Sequence, residues 1–410
     1  MRRIVAAVML CASFLMAGKG SLYSRYGVGD VNVFLSGKNV GMGGAGLATF
    51  SESNINLLNP AGSAAITNSL ISLSYQYRFL TSADAGGSSF IGTGNISSLA
   101  VAFPVYAPKK MVLSLAMLPF SSVAYELQTT QTVLGNPVVQ SFEGRGGLTS
   151  GQLSLSYAVM PDITLGVTGH IIFGSIYRDQ RITFLSGDYF GGSYEQTFSM
   201  SGGALTVGGI WSGVDKALGL SSTPSLNIGA TLFTGSSMSF EEQTLRNFAA
   251  GQDTIAPAAS SFDLPAGMSL GIAWTQNKVL YAFDAALQNW SAFRLPVASS
   301  ATYQNSLRLA AGVEFLPQSE FIGDGFWKRV SYRAGGYFRR SNIAINGTSI
   351  NELVGSAGIS LPFSQESRIH LAAELGLRGA VTGALIKDTM FRLSLSVSAS
   401  EIMFIQPPIE

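Results

Sequence analysis

Residues 391–400 read FRLSLSVSAS. Phe391, Leu393, Leu395, Val397 and Ala399 alternate with Arg392, Ser394, Ser396, Ser398 and Ser400. A period of two places successive side chains on opposite faces of an extended chain, so this stretch is a β-strand with one apolar and one polar face. The pattern returns upstream. Ile369, Leu371, Ala373, Leu375 and Leu377 oppose His370, Glu374 and Arg378. Leu307, Leu309, Val313 and Phe315 oppose Arg308 and Glu314, and Ile163, Leu165, Val167, Ile171 and Phe173 oppose Thr164, Thr168 and His170.

Fourteen such segments are expected, near 68–80, 96–105, 110–130, 147–160, 162–183, 194–212, 224–246, 264–276, 278–289, 305–316, 329–340, 352–363, 366–379 and 389–404. Composition says which solvent meets the apolar face. Charged residues are 12% of the 410, about half the usual share in soluble proteins. The chain is apolar on average, yet after the N-terminus no apolar run reaches the ~18 residues of a membrane helix. Apolar residues interleaved with polar ones suit a wall with lipid on one side and a lumen on the other. The fold class expected is therefore all-β, a transmembrane antiparallel barrel of fourteen strands in the outer membrane of a Gram-negative-type cell. A soluble solenoid or propeller would show a fixed internal repeat, and none is found.

Connection lengths supply a second test, because outer-membrane barrels have short inner turns and longer outer loops. With the first strand running outward, Tyr106–Lys109, Pro161, Asn277 and Ser364–Gln365 are short inner turns. Ser212–Thr223 and Pro317–Lys328 are longer inner turns. Thr81–Asn95, Gln131–Gly146, Asn247–Asp263 and Ser291–Gln304 read as outer loops.

Residues 1–20 have the layout of a secretory signal peptide: Arg2 and Arg3, an apolar Ile4–Ala17, then the small residues Gly18 and Gly20. Cys11 lies within this run after Leu10, a position that does not suit lipidation. The chain holds no other cysteine, so the mature protein has no disulfide and no cysteine ligand. The two histidines, His170 and His370, are far apart and lack a motif, so no metal site, no cofactor and no catalytic residues are expected. With 25 basic and 24 acidic residues, nothing favours nucleic acid.

Residues 21–66 do not alternate. Gly41–Gly46 read GMGGAG, a stretch able to pack close to other backbone. The segment is too small for a domain of its own and its backbone would be unsatisfied in lipid, so it is expected inside the barrel as a plug. The barrel then spans 67–404, and 405–410 form a short tail.

The stretch GMGGAGLATFSESNINLLNPAG resembles the N-terminal hatch of the FadL-type outer-membrane transporters, which carry long-chain fatty acids and other hydrophobic compounds. Its hatch motif is matched by Asn59, Pro60, Ala61 and Gly62. LPAGMSLGIAW (264–274), YRAGGYFRRS (332–341) and KDTMFRLSLSVS (387–398) resemble that family's middle and last strands. The resemblance implies a fourteen-stranded barrel plugged by its hatch, and a ligand that leaves sideways into the bilayer at a kink in the third strand. Pro119 lies in that strand, where proline removes a ladder donor; it is the candidate lateral exit, or simply a bulge. Alternation places Asp284, Arg308, Glu314, Arg333, Arg339, Glu374, Arg378 and Arg392 in the lumen, where an arginine could pair with a carboxylate ligand or the charges could hold the plug. The loops Phe184–Tyr194 and Phe248–Phe262 are candidate gatherers of a greasy ligand.

Two functions are therefore expected. One is passive uptake of hydrophobic small molecules, with a hydrophobic ligand and membrane lipids as partners. The other, motivated by the SLYSRYG start and the IQPPIE tail after Phe404, is a non-transporting structural or shuttle subunit of an outer-membrane secretion or assembly complex. In either case the barrel-assembly machinery is a partner during biogenesis.

Overall fold

The structure, a computed structural model, describes residues 20–401 apart from 34, 85, 134, 187–188, 220–224, 250, 298–300, 316–324, 365 and 382–384. Residues 1–19 of the expected signal peptide, Phe404, the 405–410 tail and most of the Pro317–Lys328 turn lie outside the described residues.

Fourteen antiparallel strands among the described residues form one closed sheet. They are β1 (Ser69–Ala83), β2 (Ser88–Tyr106), β3 (Met111–Pro119 and Ser121–Val133), β4 (Asn136–Met160), β5 (Ile163–Phe184), β6 (Gly192–Trp211), β7 (Ser225–Phe233 and Ser236–Phe248), β8 (Gly251–Leu264 and Gly267–Gln276), β9 (Val279–Gln288), β10 (Ala301–Tyr303 and Ser306–Phe315), β11 (Ser331–Ile345), β12 (Thr348–Pro362), β13 (Arg368–Arg378) and β14 (Lys387–Glu401). Each strand pairs with its sequence neighbour, and β14 closes on β1 from Glu401↔Ser69 to Lys387↔Ala83. Closure leaves no end-to-end sheet edge, which is the condition for strands to sit in hydrocarbon.

Burial is inverted relative to a soluble protein. On β14 the apolar residues face out, with Leu395 44% exposed, while Ser396 and Ser398 are buried, the latter at 0%. On β13 Leu371, Leu375 and Leu377 face out while His370, Glu374 and Arg378 are buried. The apolar face therefore meets lipid and the polar face meets the interior. No helix among the described residues is long and apolar enough to cross a membrane.

Three of the expected outer loops are strand instead. β1 runs to Ala83 and β2 begins at Ser88; β3 runs to Val133 and β4 begins at Asn136; β7 runs to Phe248 and β8 begins at Gly251. These ribbons satisfy their backbones by pairing, as in Thr129↔Gln140 and Leu245↔Thr254. Beyond the lipid band nothing selects an apolar face, so the alternation that marks a strand fades although the ladder continues. The fourth, Ser291–Gln304, holds a helical turn at Trp290–Ala292 and the strand piece Ala301–Tyr303. β11 and β12 also run past their expected ends to a two-residue turn at Asn346 and Gly347, both with positive φ (49° and 74°), a turn that this dipeptide favours.

Residues 20–66, as described, pack against inward-facing positions of the wall and against the edge of β3. They form short helical turns at Leu22–Arg25, Gly37–Val40 and Pro60–Ala65, and one element that sequence periodicity does not reveal. This is a two-residue strand, Asp30–Val31, which pairs antiparallel with Ser122 and Ser121 of β3. Ser21, Ser36 and Asn59 cap the three turns through side-chain oxygens, which satisfies backbone donors that lipid could not.

Candidate functional site

The interior is where the sequence-expected residues converge. The GMGG turn lies against β11, where the Cβ of a residue other than glycine at Gly43 would come within 2.2 Å of the Gly336 nitrogen, and where Gly43 has φ +64. Both steric reasons demand glycine there. Asn59 docks the other end of the segment. Its Oδ1 accepts from the Ala61 N–H at 3.1 Å, and its Nδ2 donates to the carbonyls of Leu47 (3.1 Å) and Gly209 (3.2 Å). Gly208 of β6 makes room, since a Cβ there would sit 2.2 Å from Asn59 Oδ1. Pro60, Ala61 and Gly62 are buried in the turn that follows.

Charged groups then tie the segment to β9–β14. Glu314, 1% exposed, accepts from Lys38 Nζ at 2.9 Å and from Arg333 Nη2 at 2.7 Å. Arg333 also donates to Ser360 Oγ at 2.5 Å, and Ser360 hydrogen-bonds His370 Nδ1. Asp284 accepts the Gly46 and Leu47 N–H groups at 2.7 and 3.0 Å. Arg308 donates to the Gly43 carbonyl at 2.8 Å and lies over the Tyr337 ring. Arg339 pairs with Glu352 at 2.5 Å and donates to the Val31 carbonyl at 3.1 Å. Arg378 bridges Asp30 (2.9 Å) and Asp388 (3.0 Å). Glu374 pairs with Arg392 at 3.2 Å, within the wall.

Lys38, Asp30, Glu352, Asp388 and Tyr337 complete this network without having been singled out in the sequence. Glu352 and Asp388 share the inward parity of their strands but stand at or just beyond the expected strand starts. Lys38 and Asp30 belong to a segment with no periodicity to read. The two histidines remain apart: His170 hydrogen-bonds Thr206 at 2.8 Å from Nε2 on the β5–β6 side, and His370 joins the Arg333 group. No cluster of three metal-ligating side chains occurs among the described residues.

The opposite half of the interior is apolar. Phe120, Val123 and Tyr125 of β3 pack with Ile172, Phe198, Phe240, Phe262, Trp290 and Phe293, and with Val28 of the segment. Successive rings touch, Phe198 to Phe240 at 5.6 Å and Phe262 to Phe293 at 5.7 Å between centroids. Beside Pro119 and Phe120 the described interior holds cavities of about 110 and 220 Å³. Both are smaller than the roughly 300–1,000 Å³ that small-molecule sites occupy.

The wall parts between β2 and β3. β2 and β3 pair from Tyr106↔Met111 to Leu99↔Met117 and no further. Beyond Pro119 the free side of β3 pairs with Asp30–Val31, and Asn32 donates to the Phe120 carbonyl at 2.9 Å and, through Nδ2, to that of Pro119 at 3.3 Å. Pro119 keeps its place beside Thr149 of β4. On the β3 side, Ser88–Ser98 of β2 has no strand partner among the described residues.

This fold and interior define an outer-membrane β-barrel of the FadL-like type. The structure is similar to that of a Pseudomonas aeruginosa FadL homologue (TM-score 0.61, 14% identity, covering 90% of this chain and 99% of that one). It is also similar to the Ralstonia pickettii toluene transporter TbuX (0.57, 13%, 89% and 98%) and the Pseudomonas putida toluene transporter TodX (0.57, 15%, 91% and 99%). Identities this low establish the shared fold alone. Among curated proteins none matches the chain. The BamG family model matches residues 1–409, and the chain belongs to the BamG family.

Proposed function

We propose that this protein is a non-transporting structural subunit of an outer-membrane protein assembly complex, held in the membrane by a barrel that its own N-terminal segment plugs. One observation carries the reading: ion pairs on one side and packed aromatic rings on the other occupy the described interior, and the cavities beside Pro119 and Phe120 are too small for a fatty acid. Membership of the BamG family supports it. Depletion in the native cell tests it. Folded outer-membrane barrels should fall in amount while uptake of a long-chain fatty acid stays constant, and mild-detergent extraction should yield the protein bound to other outer-membrane subunits. Lost uptake with unchanged barrel levels would reverse the assignment.

The seam at Pro119 favours a second reading, passive uptake of a hydrophobic small molecule with lateral release into the bilayer. On that reading the plug must move to admit a ligand, and deletion of residues 41–62 should abolish uptake.

A further inference from the structure

The smaller cavity lies against the seam, and its charges do not balance. It is lined by Arg78, Arg308, Arg339, Arg378 and Arg392 but by only three carboxylates, Asp30, Glu352 and Glu374. Asp388, behind Arg378, makes a fourth. Those four carboxylates are all engaged by Arg339, Arg378 and Arg392. Arg308 spends its donors on the Gly43 and Gly44 carbonyls. The Arg78 side chain makes no hydrogen bond or ion pair among the described residues, although it stands directly across the β14–β1 ladder from Arg392. Like charges placed opposite each other destabilise a sheet.

We propose that this chamber is an oxyanion-binding site in which Arg78 supplies the free guanidinium and the ligand is a carboxylate or phosphate group. A guanidinium offers two parallel N–H donors to such a group, and Arg392 beside it adds positive potential. The volume of about 110 Å³ admits one tetrahedral or planar oxyanion and few waters. The ligand's entrance is the seam, because Asn95 and Ser97 of β2 and Leu118 and Pro119 of β3 line the same chamber. An acidic lipid could therefore seat its head group at Arg78 while its chains stay in the bilayer. This site is independent of whether the barrel transports.

Binding to the purified full-length protein in a non-ionic detergent tests the proposal, by calorimetry and thermal unfolding. The probes are inorganic phosphate, oleate and dioleoyl phosphatidylglycerol, each against chloride at matched ionic strength. At least one should bind and raise the melting temperature, Arg78→Gln should weaken that binding at least tenfold, and Arg78→Lys should retain part of it. Binding of phosphate alone identifies a free oxyanion; binding of the amphiphiles alone identifies a head group. No binding of any probe beyond chloride, or equal binding by Arg78→Gln, overturns the site. Should Arg78→Gln fail to fold, the wild-type structure with the bound probe decides: density on the Arg78 guanidinium supports the site, and density elsewhere refutes it.

Discussion

Replacing Glu314 by Gln removes the carboxylate that Lys38 and Arg333 share. Glu314 sits at 1% exposure with Lys38 at 2.9 Å and Arg333 at 2.7 Å, so the substitution keeps the side-chain shape and strands two buried cations. Breaking one partner out of a buried ion pair costs about 3–5 kcal/mol. Part of that loss is recoverable, because Arg333 keeps its bond to Ser360 and Lys38 can shed its proton. A net loss of about 2–4 kcal/mol is therefore expected in thermal or denaturant unfolding of the refolded barrel in detergent. Adding Lys38→Met removes one stranded cation, so the double variant should be more stable than Glu314→Gln alone, with a coupling energy of about 1–3 kcal/mol. The loss falls on the anchoring of residues 36–44, so limited proteolysis should cut within 20–66 in Glu314→Gln but not in the double variant. A change below about 0.5 kcal/mol in the single variant, or a coupling near zero, would refute the claim that this pair holds the segment in place.

Three further outcomes are expected. Asn59→Ala removes a helical-turn cap and the two Nδ2 bonds to Leu47 and Gly209, and should cost about 1–3 kcal/mol in the same unfolding assay. Gly208→Val should cost at least as much and raise protease sensitivity within 20–66, because its first side-chain carbon would fall 2.2 Å from Asn59 Oδ1. On β14, Leu395→Lys places a cation in lipid and should cost about 2–4 kcal/mol in refolding into vesicles, whereas the neighbouring Ser396→Ala loses only a hydroxyl bond to Ser74 and should cost under about 1.5 kcal/mol.

The barrel is legible in the sequence because lipid enforces the alternation of strands such as 391–400: every outward residue must be apolar. That constraint stops at the edge of the bilayer, which is why the ribbons at 81–95, 131–146 and 247–263 read as loops. The site is legible by the same rule in part. Arg308, Glu314, Arg333, Arg339, Glu374 and Arg378 are charged residues on inward parity, and the structure places all six in the interior. What each one touches is not encoded in parity. Arg308 meets backbone carbonyls, Glu374 meets another wall residue, and the partners of Glu314 and Arg378 include Lys38 and Asp30 from an aperiodic segment. Pro119 marks a break that the sequence can suggest. The pairing of Ser121 and Ser122, just beyond it, with an internal two-residue strand depends on a contact across some 90 residues of chain, and no local signal carries it.

A protein whose interior is filled and that works beside partners rather than as a conduit should be found in a complex in its native membrane. Cryo-electron microscopy of the protein extracted in mild detergent from its native membrane tests this directly. A barrel bound laterally to another outer-membrane subunit is expected, with residues 20–66 and the packed rings filling the lumen. An isolated barrel with acyl-chain density running through its interior would contradict it.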